Sequence, residues 1–127
     1  ESSNSEALFL MGLLYEKGIG VEKSKENAFL FVSRAAKLNY SPAQVKLGDY
    51  FYSGFSADRN IEKARSLYEK GALQGNSQGY INLGLLYLKG ELDGESREEQ
   101  REKGNRCLMK AAKMGNPTAF IFINQHK

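Results

Sequence analysis

The sequence predicts an all-α protein, an α-solenoid in which antiparallel helix pairs stack into a right-handed superhelix. Three similar segments recur along the chain, each with a glycine at the same place, at Gly12, Gly48 and Gly84, which gives a spacing of 36 residues. The apolar residues of each segment follow the spacing of one helix face. Such a period is typical of helical-hairpin repeats, which bury a continuous core only by stacking on one another.

The first half of each repeat, residues 7–18, 43–54 and 79–90, predicts a helix that we call helix A. Its apolar residues are spaced i, i+4, i+7 and i+8, which places them on one side of a helix. In the first repeat this stripe consists of Ala7, Met11, Leu14 and Tyr15.

The second half of each repeat predicts an antiparallel helix B. Where helix B ends and the next helix A begins, Ser41 and Asn116 each precede a proline, which suits an N-cap followed by the first helical position. Ser96 and Glu99 form the pattern of a capping box at the start of the third helix B. In the first repeat the stripe of helix B consists of Ala28, Phe31, Val32 and Ala35.

Glycine inside a helix costs about 1 kcal/mol relative to alanine, so its recurrence needs a structural cause. We expect the missing side chain to let helix B approach helix A closely, with pairs of small residues in helix B as the facing surface. Tyr15, Phe51 and Tyr87 would then fill the space between neighbouring repeats. The residues assigned to the close packing are Gly12, Gly48, Gly84, Ala36, Ala72 and Ala112.

We expect one helical-repeat domain over residues 1–127, with repeats at about 6–41, 42–77 and 78–117. A terminal helix at 117–127 begins a partial fourth repeat. Matching positions of the third helix B are displaced by 40 rather than 36 residues, which predicts a four-residue insertion around Asp93-Gly94-Glu95. The sequence opens without an initiator Met, so we expect a segment of a longer protein.

This pattern resembles the Sel-one-like repeat (SLR) family, part of the tetratricopeptide-like helical repeat superfamily, and the resemblance covers about residues 6–127. A plain tetratricopeptide repeat fits less well, because its period is about 34 residues and its indicative Trp is missing. Only the first loop keeps the family form, Gly18-Ile19-Gly20-Val21. The resemblance is fullest over Ala7-x3-Met11-Gly12-x2-Tyr15-x2-Gly18-x-Gly20-Val21, followed by Ala28-x6-Ala35-Ala36.

Members of this family look like adaptors, so the resemblance implies a protein-interaction scaffold, one part of a multi-protein complex. It also implies that helix A lines a concave groove, where apolar residues would anchor a peptide or helix of a protein partner and polar residues would orient it. Phe9, Val45 and Ile81 map to this groove, and we keep open the alternative that they pack between helices. The assigned partner-binding residues are Phe9, Leu13, Lys46, Asp49, Tyr52, Asn82, Leu85, Leu88 and Phe122.

The residue inventory argues against an enzyme and against a metal or other cofactor. The one histidine, His126, stands next to the last residue, which removes His-based triads and most zinc sites. The one cysteine, Cys107, aligns with Phe31 and Leu67, so we expect it in the core. A single cysteine also favours a reducing compartment such as the cytoplasm. No apolar run approaches the roughly 20 residues of a membrane span.

The formal charge of +3 comes from one segment, Arg97 to Lys113, in the third helix B. Lys and Arg in such a segment can contact phosphates, so the alternative function is nucleic-acid binding by this helix. Three interleaved glutamates, Glu98, Glu99 and Glu102, instead favour a solvated helix with internal charge pairs.

Overall fold

The computed structural model describes residues 2–125, and this part of the chain forms seven α-helices and no strand. The all-α prediction is therefore confirmed, and His126 lies outside the described residues. The helices are α1 (Ser2–Lys17), α2 (Lys25–Lys37), α3 (Ser41–Ser53), α4 (Ile61–Leu73), α5 (Ser77–Lys89), α6 (Arg97–Lys113) and α7 (Thr118–Gln125).

The helices fall into two units whose boundary lies within α4. In the N-terminal unit, residues 1–67, α1 packs on α2 and α2 packs on α3. In the C-terminal unit, residues 68–127, α5 packs on α6 and α6 packs on α7. Short loops join these neighbours, as expected for antiparallel helix pairs. A single domain over the whole chain stays a prediction.

Each unit has a core made of small and branched side chains. One predicted core residue, Ala7, is exposed, while Leu8 and Phe9 pack against the N-terminal core. Periodicity does not fix the rotation of a helix about its axis to within one residue, so it does not decide between Ala7 and its neighbours as core residues. The N-terminal core contains Val32, Ala35, Ala36, Ala43, Leu47 and Tyr50, and the C-terminal core contains Ile81, Leu108, Ala111 and Ala119.

Local hydrogen bonds set the helix ends. The capping box at α6 is confirmed: the Ser96 hydroxyl accepts from the Glu99 N–H at 3.0 Å, and the Glu99 carboxylate accepts from the Ser96 N–H at 3.0 Å. The predicted cap at Ser41 is wrong, because the carbonyl of Tyr40 already accepts the first helical bonds and α3 begins at Ser41. Asn116 accepts from the Thr118 N–H at the start of α7.

The four extra residues of the third repeat lie in a helix and not in the loop. The loops before α2, α4 and α6, residues 18–24, 54–60 and 90–96, have equal length. Helix α6 has 17 residues where α2 and α4 each have 13. The prediction of an insertion around Asp93-Gly94-Glu95 is therefore wrong in position. Four residues are close to one helical turn, so the extra turn leaves the packing face of α6 unchanged.

Two of the glycines of helix A, Gly12 and Gly84, lie directly against helix B. A Cβ added at Gly12 would stand 2.6 Å from Cγ2 of Val32 and 3.2 Å from the carbonyl oxygen of Ala28. A Cβ added at Gly84 would stand 2.9 Å from the carbonyl oxygen of Gly104. Real Cβ atoms essentially never come this close, so the backbones approach only because the side chain is missing.

Small residues at the end of helix B also contact the following helix A. A Cβ at Gly79, at the start of α5, would stand 2.9 Å from the backbone nitrogen of Ala72, and Ala36 clusters with Ala43 of α3. Ala72 and Ala36 therefore lie against the next helix A. The reason is connectivity: the end of helix B and the start of the next helix A are joined by a short turn.

The aromatic residues of helix A contact helix B of their own repeat or of the preceding one. Tyr15 stacks on Phe31 of its own repeat, with ring centroids 5.6 Å apart. Phe51 contacts Phe29 of the preceding repeat edge to face, also at 5.6 Å.

Candidate protein-binding surfaces

Three of the assigned partner-binding residues meet in the C-terminal unit. Leu85 and Leu88 lie three residues apart on α5, so they share one side of that helix. Together with Lys89 and with Phe122 of α7 they line a cavity of about 320 Å³. All three apolar side chains are half-buried and pack on the core of the unit. We call this cavity the apolar pocket.

Asn82 lies one helical turn before Leu85 and is half-buried. Its side-chain oxygen accepts a hydrogen bond from the amide of Gln78 at 2.7 Å. Val45 and Ile81, which mapped to the same groove, are buried at 5% and 0% exposure. For those two residues the packing alternative is correct.

The assigned residues of α1 and α3 lie in the N-terminal unit. Phe9 packs edge to face on Tyr40 with ring centroids 5.6 Å apart, and Leu13 is half-buried on the same helix. The guanidinium of Arg59 lies over the ring of Tyr52, 4.8 Å from the ring centroid. The backbone carbonyl of Tyr52 accepts a hydrogen bond from Nε of Arg59 at 2.8 Å. Phe9 and Tyr52 are therefore partly covered by neighbouring side chains.

Lys46 belongs to a network that joins α1 to α3. Its ammonium lies 3.3 Å from the carboxylate of Glu16, which also accepts a hydrogen bond of 2.7 Å from the Tyr50 hydroxyl. Burial raises the pKa of Glu16, but Tyr50 and Lys46 together outweigh that effect and hold it below its usual value. Burial, and then the bond to Glu16, raises the pKa of Tyr50. Asp49, one turn before Ser53 on α3, is half-buried.

A second cavity of the C-terminal unit, of about 400 Å³, was not found by sequence reasoning. Tyr80, Leu83 and Tyr87 of α5 form its floor. Glu69, at the end of α4, and Cys107 also line it. Its remaining lining residues are Lys103, Arg106 and Lys110 of α6, and we therefore call it the cationic pocket.

The sequence predicts Cys107 in the core, and this prediction is wrong. Cys107 is half-buried and lies on the wall of the cationic pocket. Phe31 and Leu67, with which it aligns, are also half-buried, so the repeat position itself lies at the edge of the core. Burial raises the pKa of the Cys107 thiol to about 11, although Arg106 acts in the opposite direction.

The segment Arg97 to Lys113 is less uniformly basic in three dimensions than in sequence. Lys103 pairs with Glu95 at 2.8 Å, and that bond raises the pKa of the Lys103 ammonium.

Among residues 2–125, no three His, Cys, Asp or Glu side chains come together as a metal site would require. In the same part of the chain, no helix has the length and apolar character to cross a membrane.

The fold and these surfaces define a class of protein: a helical-hairpin repeat protein in which half-buried apolar side chains and mostly exposed charged side chains line small cavities. The sequence matches the model of the Sel1 repeat three times, at residues 5–40, 41–76 and 77–116. The chain belongs to the Sel1 repeat family.

Similar proteins agree with this assignment. The chain is 36% identical over 92 residues to the ERAD-associated E3 ubiquitin-protein ligase component HRD3B of Arabidopsis thaliana. These residues make up 71% of this chain and 14% of that protein. It is 32% identical to chitin synthase regulatory factor 4 of Schizosaccharomyces pombe, over 86% of this chain and 17% of the other. The structure of a Sel1 repeat protein from Oxalobacter formigenes superimposes with a TM-score of 0.86 at 26% sequence identity. The superposition covers 95% of this chain and 48% of the other. The chain thus spans a minor part of each of these relatives.

Proposed function

We propose that this chain is a non-catalytic protein-interaction scaffold that binds a peptide or a helix of a partner on its helix A surfaces. Membership of the Sel1 repeat family supports this proposal, and so does the name of HRD3B, which describes a component of a larger ligase. The chain would act within a multi-protein complex. Its single cysteine is consistent with a reducing compartment such as the cytoplasm.

The observation that carries the proposal is the apolar pocket. Its lining is mainly apolar and open to solvent, and contiguous apolar surface of this kind tends to mark a binding site. Its volume of about 320 Å³ accommodates one or two large apolar side chains of a partner. Leu85, Leu88 and Phe122 would contact these anchors, and Asn82 would orient the partner's backbone.

In the N-terminal unit the same proposal assigns polar contacts to Lys46 and Asp49, and apolar contacts to Phe9, Leu13 and Tyr52. The Lys46 ammonium pairs with Glu16, and the Tyr52 ring contacts the guanidinium of Arg59, so both side chains have fixed neighbours before a partner arrives. Ordered side chains lose less conformational entropy on binding, which raises affinity.

The test is a charge placed in the apolar pocket. Leu85→Glu should remove partner capture in affinity purification followed by mass spectrometry, because it would bury a carboxylate in an apolar contact. Leu73→Glu is the matched control, since Leu73 is 82% exposed and does not line the pocket. Both variants should keep their helical circular dichroism. Partners that stay bound to a folded Leu85→Glu variant would contradict this surface. Asp49→Arg provides the corresponding test in the N-terminal unit.

The alternative of nucleic-acid binding gains no support from the described residues. Lys103 is already paired with Glu95, and Glu69 lines the same cavity as the remaining cations. These carboxylates interrupt the continuous basic strip that a nucleic-acid backbone needs.

A further inference from the structure

The cationic pocket lies on a different side of α5 from the apolar pocket. Tyr80, Leu83 and Tyr87 follow each other at intervals of three and four residues, a helix face that does not include Leu85 or Leu88. A ligand of the cationic pocket would therefore not compete with a partner in the apolar pocket.

The basic side chains of this pocket form one stripe on α6. Lys103, Arg106 and Lys110 are spaced i, i+3 and i+7, so they lie along one side of the helix. The ammonium of Lys103 lies 5.6 Å from the ring centroid of Tyr87, and that of Lys110 lies 6.0 Å from the ring centroid of Tyr80. The pocket thus combines an aromatic floor with a cationic edge.

Two of the three cations have no carboxylate partner among residues 2–125. Lys103 is paired with Glu95 at 2.8 Å, but no ion pair within the described ranges joins Arg106 or Lys110 to an acidic group. Both side chains are exposed, whereas Leu83 and Tyr87 beneath them are each 5% exposed. A guanidinium and an ammonium one turn apart can hold one carboxylate between them.

We propose that the cationic pocket binds an acidic segment of a protein partner, with a carboxylate on Arg106 and Lys110 and an apolar side chain on Tyr80 and Leu83. This is a second binding surface, separate from the one assigned to helix A. The volume of about 400 Å³ matches a short stretch of side chains.

A peptide fits this pocket better than a nucleic acid does. A nucleic-acid backbone needs a basic strip that continues over several phosphates. Here Arg106 and Lys110 line one cavity together with Glu69, and Glu98 and Glu99 lie exposed in the first turn of the same helix. A single carboxylate needs only the guanidinium and a neighbouring ammonium.

Cys107 provides a reporter for this site. It is the one cysteine of the chain, it lines the cationic pocket, and it is only half-buried. Alkylation of the chain by iodoacetamide therefore reports on access to the pocket. The probe is a short synthetic peptide in which Glu alternates with Leu and Phe, and a second peptide replaces each Glu with Gln.

The acidic peptide should slow alkylation of Cys107, and the Gln peptide should not. The double variant Arg106→Gln with Lys110→Gln should bind the acidic peptide about tenfold or more weakly in fluorescence anisotropy, because two charge-assisted contacts are lost. The control, Arg101→Gln with Lys113→Gln, removes the same charge from exposed positions of α6 outside the pocket. It should bind within about twofold of the unchanged chain, as screened surface charges do.

Three results would overturn the proposal. The first is no binding of the acidic peptide, and the second is an equal loss of affinity in both double variants. The third is tighter binding of single-stranded poly(U) RNA than of the peptide, with protection of Cys107 and a steep fall in affinity as salt rises. The Leu85→Glu variant should bind the acidic peptide normally, so a failure of the helix A surface leaves this test intact.

Discussion

Replacing Gly12 by alanine tests whether helix A and helix B touch through their backbones. An exposed helix would gain about 1 kcal/mol from this change, because alanine favours the helix over glycine. At Gly12 the new Cβ would stand 2.6 Å from Cγ2 of Val32, so the fully buried valine or its backbone must move. Overpacking of a well-packed core costs about 1–3 kcal/mol. We take the upper end of that range for so short a contact, which predicts a net destabilisation of about 2 kcal/mol.

The neighbouring valine makes the prediction sharper. Val32→Ala alone should cost about 2–3 kcal/mol, because it leaves a cavity in the core. In the double variant the methyl group added at position 12 enters the space that the valine side chain has left. The combined loss should therefore fall short of the sum of the single losses by about 1–2 kcal/mol, a coupling expected only between residues in contact.

Gly84 is the matched comparison. Its nearest neighbour is the carbonyl oxygen of Gly104, at 2.9 Å, and no side-chain substitution can remove a backbone atom. Gly84→Ala should be at least as destabilising as Gly12→Ala, and trimming Leu108, whose Cγ would lie 3.1 Å away, should relieve it less.

Urea unfolding followed by circular dichroism measures all these free energies, and equal m values across the set would justify comparing them. Additive losses at positions 12 and 32, or a stabilised Gly12→Ala variant, would refute the argument for close backbone contact.

Three further predictions concern single contacts. Tyr50→Phe removes a hydrogen bond to Glu16 and should lower the free energy of unfolding by about 1–2 kcal/mol. Because the folded-state pKa of Glu16 lies below its usual 4.5, this loss should be full above pH 4.5 and shrink as the pH falls through the folded pKa. Equal losses at acidic and neutral pH would contradict this prediction. Ser96→Ala should cost about 1 kcal/mol in urea unfolding, whereas the exposed Ser66→Ala should cost almost nothing, and equal costs would argue against the capping box. Alkylation of Cys107 by iodoacetamide should accelerate about tenfold per pH unit up to a pKa of about 11, and a plateau two units lower would disprove the burial argument.

The candidate binding surfaces were only partly predictable from sequence. Leu85, Leu88 and Phe122 were assigned by a rule that the family resemblance supplies, that helix A lines a groove, and these three residues line one cavity. Val45 and Ile81 were assigned by the same rule, yet they are buried, because the rule does not fix the rotation of a helix to within one residue. The cationic pocket gave one signal, the basic stretch of α6, but its aromatic floor comes from α5, and sequence alone does not say which residues of two helices meet.

The fold class followed from the sequence because backbone preferences act locally. Glycines at Gly54 and Gly90 end helices in the left-handed conformation, with φ of 77° and 69°, and the capping box starts α6. Such features depend on residues a few places apart, which a linear pattern contains in full.

Tertiary structure decided which residues of different helices are in contact. The extra four residues of the third repeat became a helical turn in α6 and not a longer loop, since a full turn preserves the packing face while gaining backbone hydrogen bonds. Ala72 lies against Gly79 of the following helix A, because two helices joined by a short turn are held in contact at that end. The sequence by itself determined the helices and their repeat, while the contacts between helices, and hence both pockets, depended on how side chains far apart in the chain fit together in three dimensions.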